Sequence, residues 1–286
     1  MTIRRIFRML AAAAGLASLP LAAPALERVP FTTDGGLVRI AGTVDGQPTP
    51  MLVDLGAGLD VLSQRVGSRT VDVTGKYVTL SLNGQRVDLP IGNVVSIALG
   101  EFQVDNHVAG VWKGLDGSGA DGLISATAFR NVTATFDYRA RELSIEDAVT
   151  FADRKRFATR VPLFLQDELG IALAVFARFD FGNGQSGLCV VDTGLPGISI
   201  DRRFAAKLGV DLTRPGLPRT STRYGEGISA TIPQVALADA PDSAIARPTV
   251  VFQNLVYDCN VGNEFWDGKI FTLDIPQRVM YVAPPA

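Results

Sequence analysis

The feature that most restricts this chain is that it is written twice. Met51-Leu52-Val53-Asp54-Leu55-Gly56 is answered 138 residues later by Cys189-Val190-Val191-Asp192-Thr193-Gly194. Phe136-Asp137-Tyr138, with Arg141 beyond, is answered by Leu273-Asp274-Ile275 with Arg278. Between them Asp121-Gly122-Leu123 falls opposite Val261-Gly262-Asn263, which pairs Gly122 with Gly262 and makes Met51 and Gly119 the counterparts of Cys189 and Cys259. A unit this long is a duplicated domain rather than a solenoid repeat of about 20–50 residues. The expected division is 26–149 and 161–286, joined by a charged linker at 150–160.

Each half reads as strand. Short runs of Val, Ile, Leu and Thr at 37–44, 77–82, 94–99, 171–179 and 228–237 are separated by Gly, Asn and Asp turns. Asn83-Gly84 between two such runs signals a two-residue hairpin turn. Helical patterning is scarce, with its best case at 201–208, ahead of Gly209. The chain is therefore expected to be all-β with a few short helices.

The first 25 residues read differently. Arg4, Arg5 and Arg8 precede an apolar, Ala-rich run over 9–21, and Ala23-Pro24-Ala25 offers a cleavage site. The run is shorter than the about 20 residues of a membrane span, so it reads as a secretory signal peptide. Arg4-Arg5 also resembles a twin-arginine export signal. The expected location is periplasmic or secreted, with no membrane span in the processed chain. No Cys follows the run to carry a lipid anchor.

Composition narrows the chemistry. With 27 Lys+Arg against 29 Asp+Glu the formal charge is −2, which provides no basic field for nucleic acid. One His and two Cys cannot make a multi-His or Cys-rich metal site, and nothing beside His107 suggests a nucleophilic triad. His107 itself reads as an exposed strand or loop residue. No metal or cofactor is expected, and carboxylates remain as the source of chemistry.

In each half an apolar strand runs straight into an Asp followed two residues later by Gly. Gly allows a sharp turn that presents the Asp side chain beside free backbone N–H groups. Two such turns meeting at a pseudo-two-fold axis would set Asp54 against Asp192, and like charges that close share a proton. The plain alternative for each is a carboxylate capping its own turn. Asp137 and Asp274, with Arg141 and Arg278, read as structural hairpin residues.

On these residues both halves resemble retropepsin-like aspartic protease domains, and the tandem resembles the bilobal, pepsin-like arrangement. The second half carries Asp192-Thr193-Gly194 and Asn260-Val261-Gly262; the first carries Asp54-Leu55-Gly56 and Gly122-Leu123-Ile124. The resemblance implies two β-barrel domains, catalytic Asp54 and Asp192, a peptide or protein substrate, and a monomer. In that family the Thr of each Asp-Thr-Gly braces the opposite turn. Leu55 replaces one of them, and Leu195 stands where a small residue is usual. Two functions follow: an exported aspartic endopeptidase, or a catalytically impaired relative that binds peptide or protein without cleaving it.

The resemblance implies hairpin flaps over the cleft. Tyr77, Asn83 and Gly84 mark the first candidate, Tyr224 and Gly225 the second. It also makes the strands of Cys189 and Cys259 neighbours, so an exported chain is expected to bond them; the alternative is two buried thiols.

Overall fold

The structure, a computed structural model, describes residues 27–222 and 225–285. The candidate signal peptide, Arg223 and Tyr224 lie outside these residues. None of the described helices is long and apolar enough to cross a membrane.

The two halves are joined through a shared sheet. Its order is Glu27–Thr32, Glu142–Ile145, Thr133–Asp137, Ile270–Asp274, Val279–Val282, Thr159–Pro162, all antiparallel. The middle pair joins the equivalent strands of the two halves. Thr135 pairs with Thr272, their hydroxyls 2.7 Å apart, and Phe136 stacks on Phe271 at 4.9 Å. All four are buried, so an aromatic seam seals the junction. The sheet continues beyond Glu27–Thr32 into the rest of the first half, giving thirteen strands among the described residues; the rest of the second half forms a ten-stranded sheet. In the first half Arg39–Val44 also pairs with Arg86–Leu99, so six strands close on themselves as a barrel that the shared sheet joins to the second half.

Within each half the same parallel pairing recurs. Gln47–Val53 lies beside Gly122–Ile124 with Met51 opposite Gly122, and Gln185–Val191 lies beside Cys259–Val261 with Cys189 opposite Cys259. The counterpart of Gly122 is thus Cys259, not Gly262, and Leu123 corresponds to Asn260. Glycine spacing misled the sequence comparison because Gly122 sits inside its strand whereas Gly262 follows the strand and precedes helix Asn263–Trp266.

Other expectations need correction. The run 228–237 is two strands, Gly225–Thr231 and Gln234–Leu237, because Pro233 between them has no N–H for a ladder. Residues 201–208 form two 3₁₀ turns, Arg202–Phe204 and Ala206–Leu208, ended by left-handed Gly209. The charged link is largely helical. Asp147 accepts from the N–H groups of Val149 and Thr150 and starts helix Ala148–Lys155, while the Thr150 hydroxyl answers the Asp147 N–H.

Candidate active site

Asp54 follows the last residue of strand Gln47–Val53, and Asp192 follows the last residue of Gln185–Val191. Each strand has a parallel neighbour whose carbonyl holds the Asp backbone: Asp54 N–H donates to Ile124 O at 2.8 Å, and Asp192 N–H to Val261 O at 3.0 Å. Each chain then turns through its glycine beneath the opposite carboxyl group. A Cβ on Gly56 would overlap the Asp192 carboxyl, and a Cβ on Gly194 would overlap that of Asp54. Only glycine fits at either place. The two carboxyl groups thus face each other across the turns, close enough for the charge of Asp54 to act on Asp192.

The turns supply donors. Gly56 N–H and Ala57 N–H donate to Asp54 Oδ1 at 2.9 and 3.0 Å. Gly194 N–H donates to Asp192 Oδ1 at 3.0 Å, and the Asn260 amide donates to Asp192 Oδ2 at 2.9 Å. Asp192 is 4% exposed. Burial and then the charge of Asp54 push its carboxyl up to about 8, against the pull of the Asn260 and Gly194 donors. Near neutral pH and below, the pair therefore tends to keep a proton between its two carboxyl groups.

Thr193 crosses to the other half. Its hydroxyl accepts from Leu55 N–H at 3.0 Å and donates to Val53 O at 2.8 Å. Leu55 cannot reciprocate; its side chain is wholly buried in the main apolar core. Asn263 adds a brace, accepting from the Tyr138 hydroxyl and donating to Thr193 O at 2.6 Å and Gly36 O at 2.8 Å. Burial, with the charge of Asp192 next, raises the Tyr138 phenol and keeps it a donor.

The hairpin of Asp72–Leu80 and Arg86–Leu99 forms as expected, but through a five-residue loop. Gly84 N–H donates to Ser81 O, placing Leu82 and Asn83 at the bend, and Gly84 follows at φ +80°. The hairpin reaches the second half at two points: the Tyr77 hydroxyl donates to Glu168 Oε2 at 2.5 Å, and Val256 N–H donates to Leu82 O at 3.0 Å. Burial, then Glu168, pushes the Tyr77 phenol up to about 12. A Cβ on Gly225 would lie 3.8 Å from Asn83 Nδ2, so the second hairpin, Arg219–Thr222 with Gly225–Thr231, approaches the first at its tip.

Cys189 and Cys259 are disulfide-bonded. His107 is not exposed. Its Nε2 lies 2.6 Å from Oδ2 of fully buried Asp60. Burial pulls the imidazole down, but the hydrogen bond and charge of Asp60 outweigh it and leave it raised. Asp60 Oδ1 also accepts from Ser125 N–H and the Thr127 hydroxyl, tying the segment after Asp54 to residues that follow Ile124. Asn260, Asn263 and Tyr138 stand in the repeat landmarks, but their contacts with the two turns are not legible there, since no spacing announces the partner of an Asn amide or a Tyr hydroxyl.

Residues 40–128 match a family model described as aspartyl protease. No curated protein matches the chain. Among solved structures it is similar to basic 7S globulin from soybean, with a TM-score of 0.56 and 13% identity over 90% of this chain and 94% of that one. It is also similar to an aspartic proteinase from Irpex lacteus, with a TM-score of 0.55 and 16% identity over 92% and 98%. Residues 40–128 are thus similar to the aspartyl protease family, and the chain as a whole has the bilobal fold of the pepsin-like aspartic proteinases.

Proposed function

We propose that this protein is an exported aspartic endopeptidase whose catalytic residues are Asp54 and Asp192, one from each of two lobes divided at 150–160. The observation that carries this reading is the reciprocal seating of the two carboxyl groups, each over the glycine of the other's turn. Asp54, held by two turn N–H groups, is suited to stay ionised and act as base; buried Asp192 is suited to hold the proton. A water between them loses a proton to Asp54 as its oxygen bonds to the scissile carbonyl carbon. Asp192 gives its proton to the carbonyl oxygen. The resulting diol collapses as the proton on Asp54 passes to the leaving nitrogen and a diol hydroxyl returns one to Asp192. The disulfide is compatible with an oxidising, extracytoplasmic compartment.

A second reading, a peptide-binding protein without turnover, is favoured by Leu55, which leaves the Thr193 brace one-sided. Incubation of the purified chain with a diverse peptide pool from pH 3 to 7 separates the two. Cleavage that is lost in both Asp54→Asn and Asp192→Asn supports the peptidase. Cleavage that survives either variant removes the dyad, and saturable peptide binding without products supports the second reading.

A further inference from the structure

Asp54 and Asp192 accept from donors of different sources. Asp54 accepts from two N–H groups of its own turn, Gly56 and Ala57. Asp192 takes one from its turn, Gly194, and the second from the side chain of Asn260 on the neighbouring strand. The register makes Asn260 the counterpart of Leu123, which is apolar and buried with Leu52, Leu59 and Val61. The difference extends one layer outward. Ser199, opposite Asn260, stands where the first half has Val61, and its hydroxyl accepts from Gln253 at 3.1 Å. Asn260 is completely buried, and its Oδ1 has no hydrogen-bond partner. A leucine there would bury no unpaired oxygen, so the amide costs stability in this position. What it does is touch Asp192.

We propose that Asn260 is a positioning residue for the Asp pair, giving Asp192 the second donor that Asp54 draws from its own turn. The proposal rests on the reading of Asp54 and Asp192 as the catalytic pair, but Asn260's effect on Asp192 is measurable without turnover. An amide N–H on Oδ2 favours the ionised carboxylate and, with Gly194 N–H on Oδ1, fixes the plane of the group. Two facts make the side chain fit this task. Cys259 beside it is bonded to Cys189, in the strand that ends at Asp192. Val261 on its other side accepts from the Asp192 N–H. Asn260 is therefore fixed on both flanks to the segment it serves.

The test compares the native chain with Asn260→Leu, which copies the first half, and with Asn260→Ala, which removes the amide should leucine not pack. Carboxyl-carbon NMR of labelled aspartate reads the titration of Asp192, assigned by its loss in Asp192→Asn. The pH profile of peptide cleavage is recorded beside it. Without the amide, Asp192 is expected to titrate about one pH unit or more higher. The alkaline limb of the profile is expected to move up with it, with a fall in kcat larger than any change in KM. A residue that merely fills space would lower activity at every pH without moving either curve. An unmoved or lowered titration in a variant that keeps its disulfide and unfolds cooperatively overturns the proposal, whatever the cleavage result. A raised titration in a chain that cleaves nothing upholds the role of Asn260 and removes the peptidase reading instead.

Discussion

The Thr193 hydroxyl accepts from the Leu55 amide at 3.0 Å and donates to the Val53 carbonyl at 2.8 Å, so one side chain of the second lobe holds the backbone on both sides of Asp54. Thr193→Val keeps the shape and removes both bonds, leaving a buried N–H and a buried C=O. Each unsatisfied group costs about 1–3 kcal/mol. Urea unfolding is expected to show that loss, and a change under about 0.5 kcal/mol would mean that Thr193 is not a brace.

Restoring the missing hydroxyl is expected to fail. Leu55 is fully buried among apolar residues, so Leu55→Thr loses packing and buries a hydroxyl. The cost is on the order of 2 kcal/mol, read as earlier melting with no gain in kcat. Faster cleavage at unchanged stability would show that the site accepts a two-sided brace.

Stability is expected to fall as pH rises. The Asp192 carboxyl ionises near 4 in the unfolded chain but only near 8 when folded. A folded value raised above the unfolded one means that the unfolded state releases its proton first, so stability drains away between those limits. The slope approaches about 1.4 kcal/mol per pH unit for one group. His107, also raised, adds stability below its ordinary value that is lost above the raised one. Asp192→Asn leaves His107 in place, and its unfolding free energy should depend less on pH between 4.5 and 7.5. Parallel curves for the two proteins would contradict the burial argument.

The disulfide closes a 70-residue loop directly behind Asp192 and Asn260. Changing both cysteines to alanine is expected to cost about 2–4 kcal/mol. Amide exchange should rise in residues 187–194 and 259–263 before it rises in the shared sheet.

The first hairpin is latched to the second lobe by Tyr77 and Leu82. Tyr77→Phe removes the bond to Glu168 and is expected to speed amide exchange across residues 77–87 several-fold, with little change in global unfolding. Unchanged exchange would place the latch at Leu82 alone.

The sequence by itself determined the duplication, the strand-rich class and the two Asp-x-Gly turns, because each is written in consecutive residues that one strand and one turn express locally. It misplaced Gly122 against Gly262, since glycines recur for different local reasons, and only strand register revealed Leu123 and Asn260 as counterparts. His107 looked like a surface residue because nothing in its neighbourhood along the chain announces Asp60, 47 positions earlier. Tertiary structure alone decided that the lobes share one sheet, that Thr193 grips Leu55, and that Asn263 joins Tyr138 to the second turn. Those contacts link residues 70 or more positions apart. A hydrogen bond is directional and short, so which donors meet which acceptors is fixed by packing the two halves together and not by the order of residues in either one.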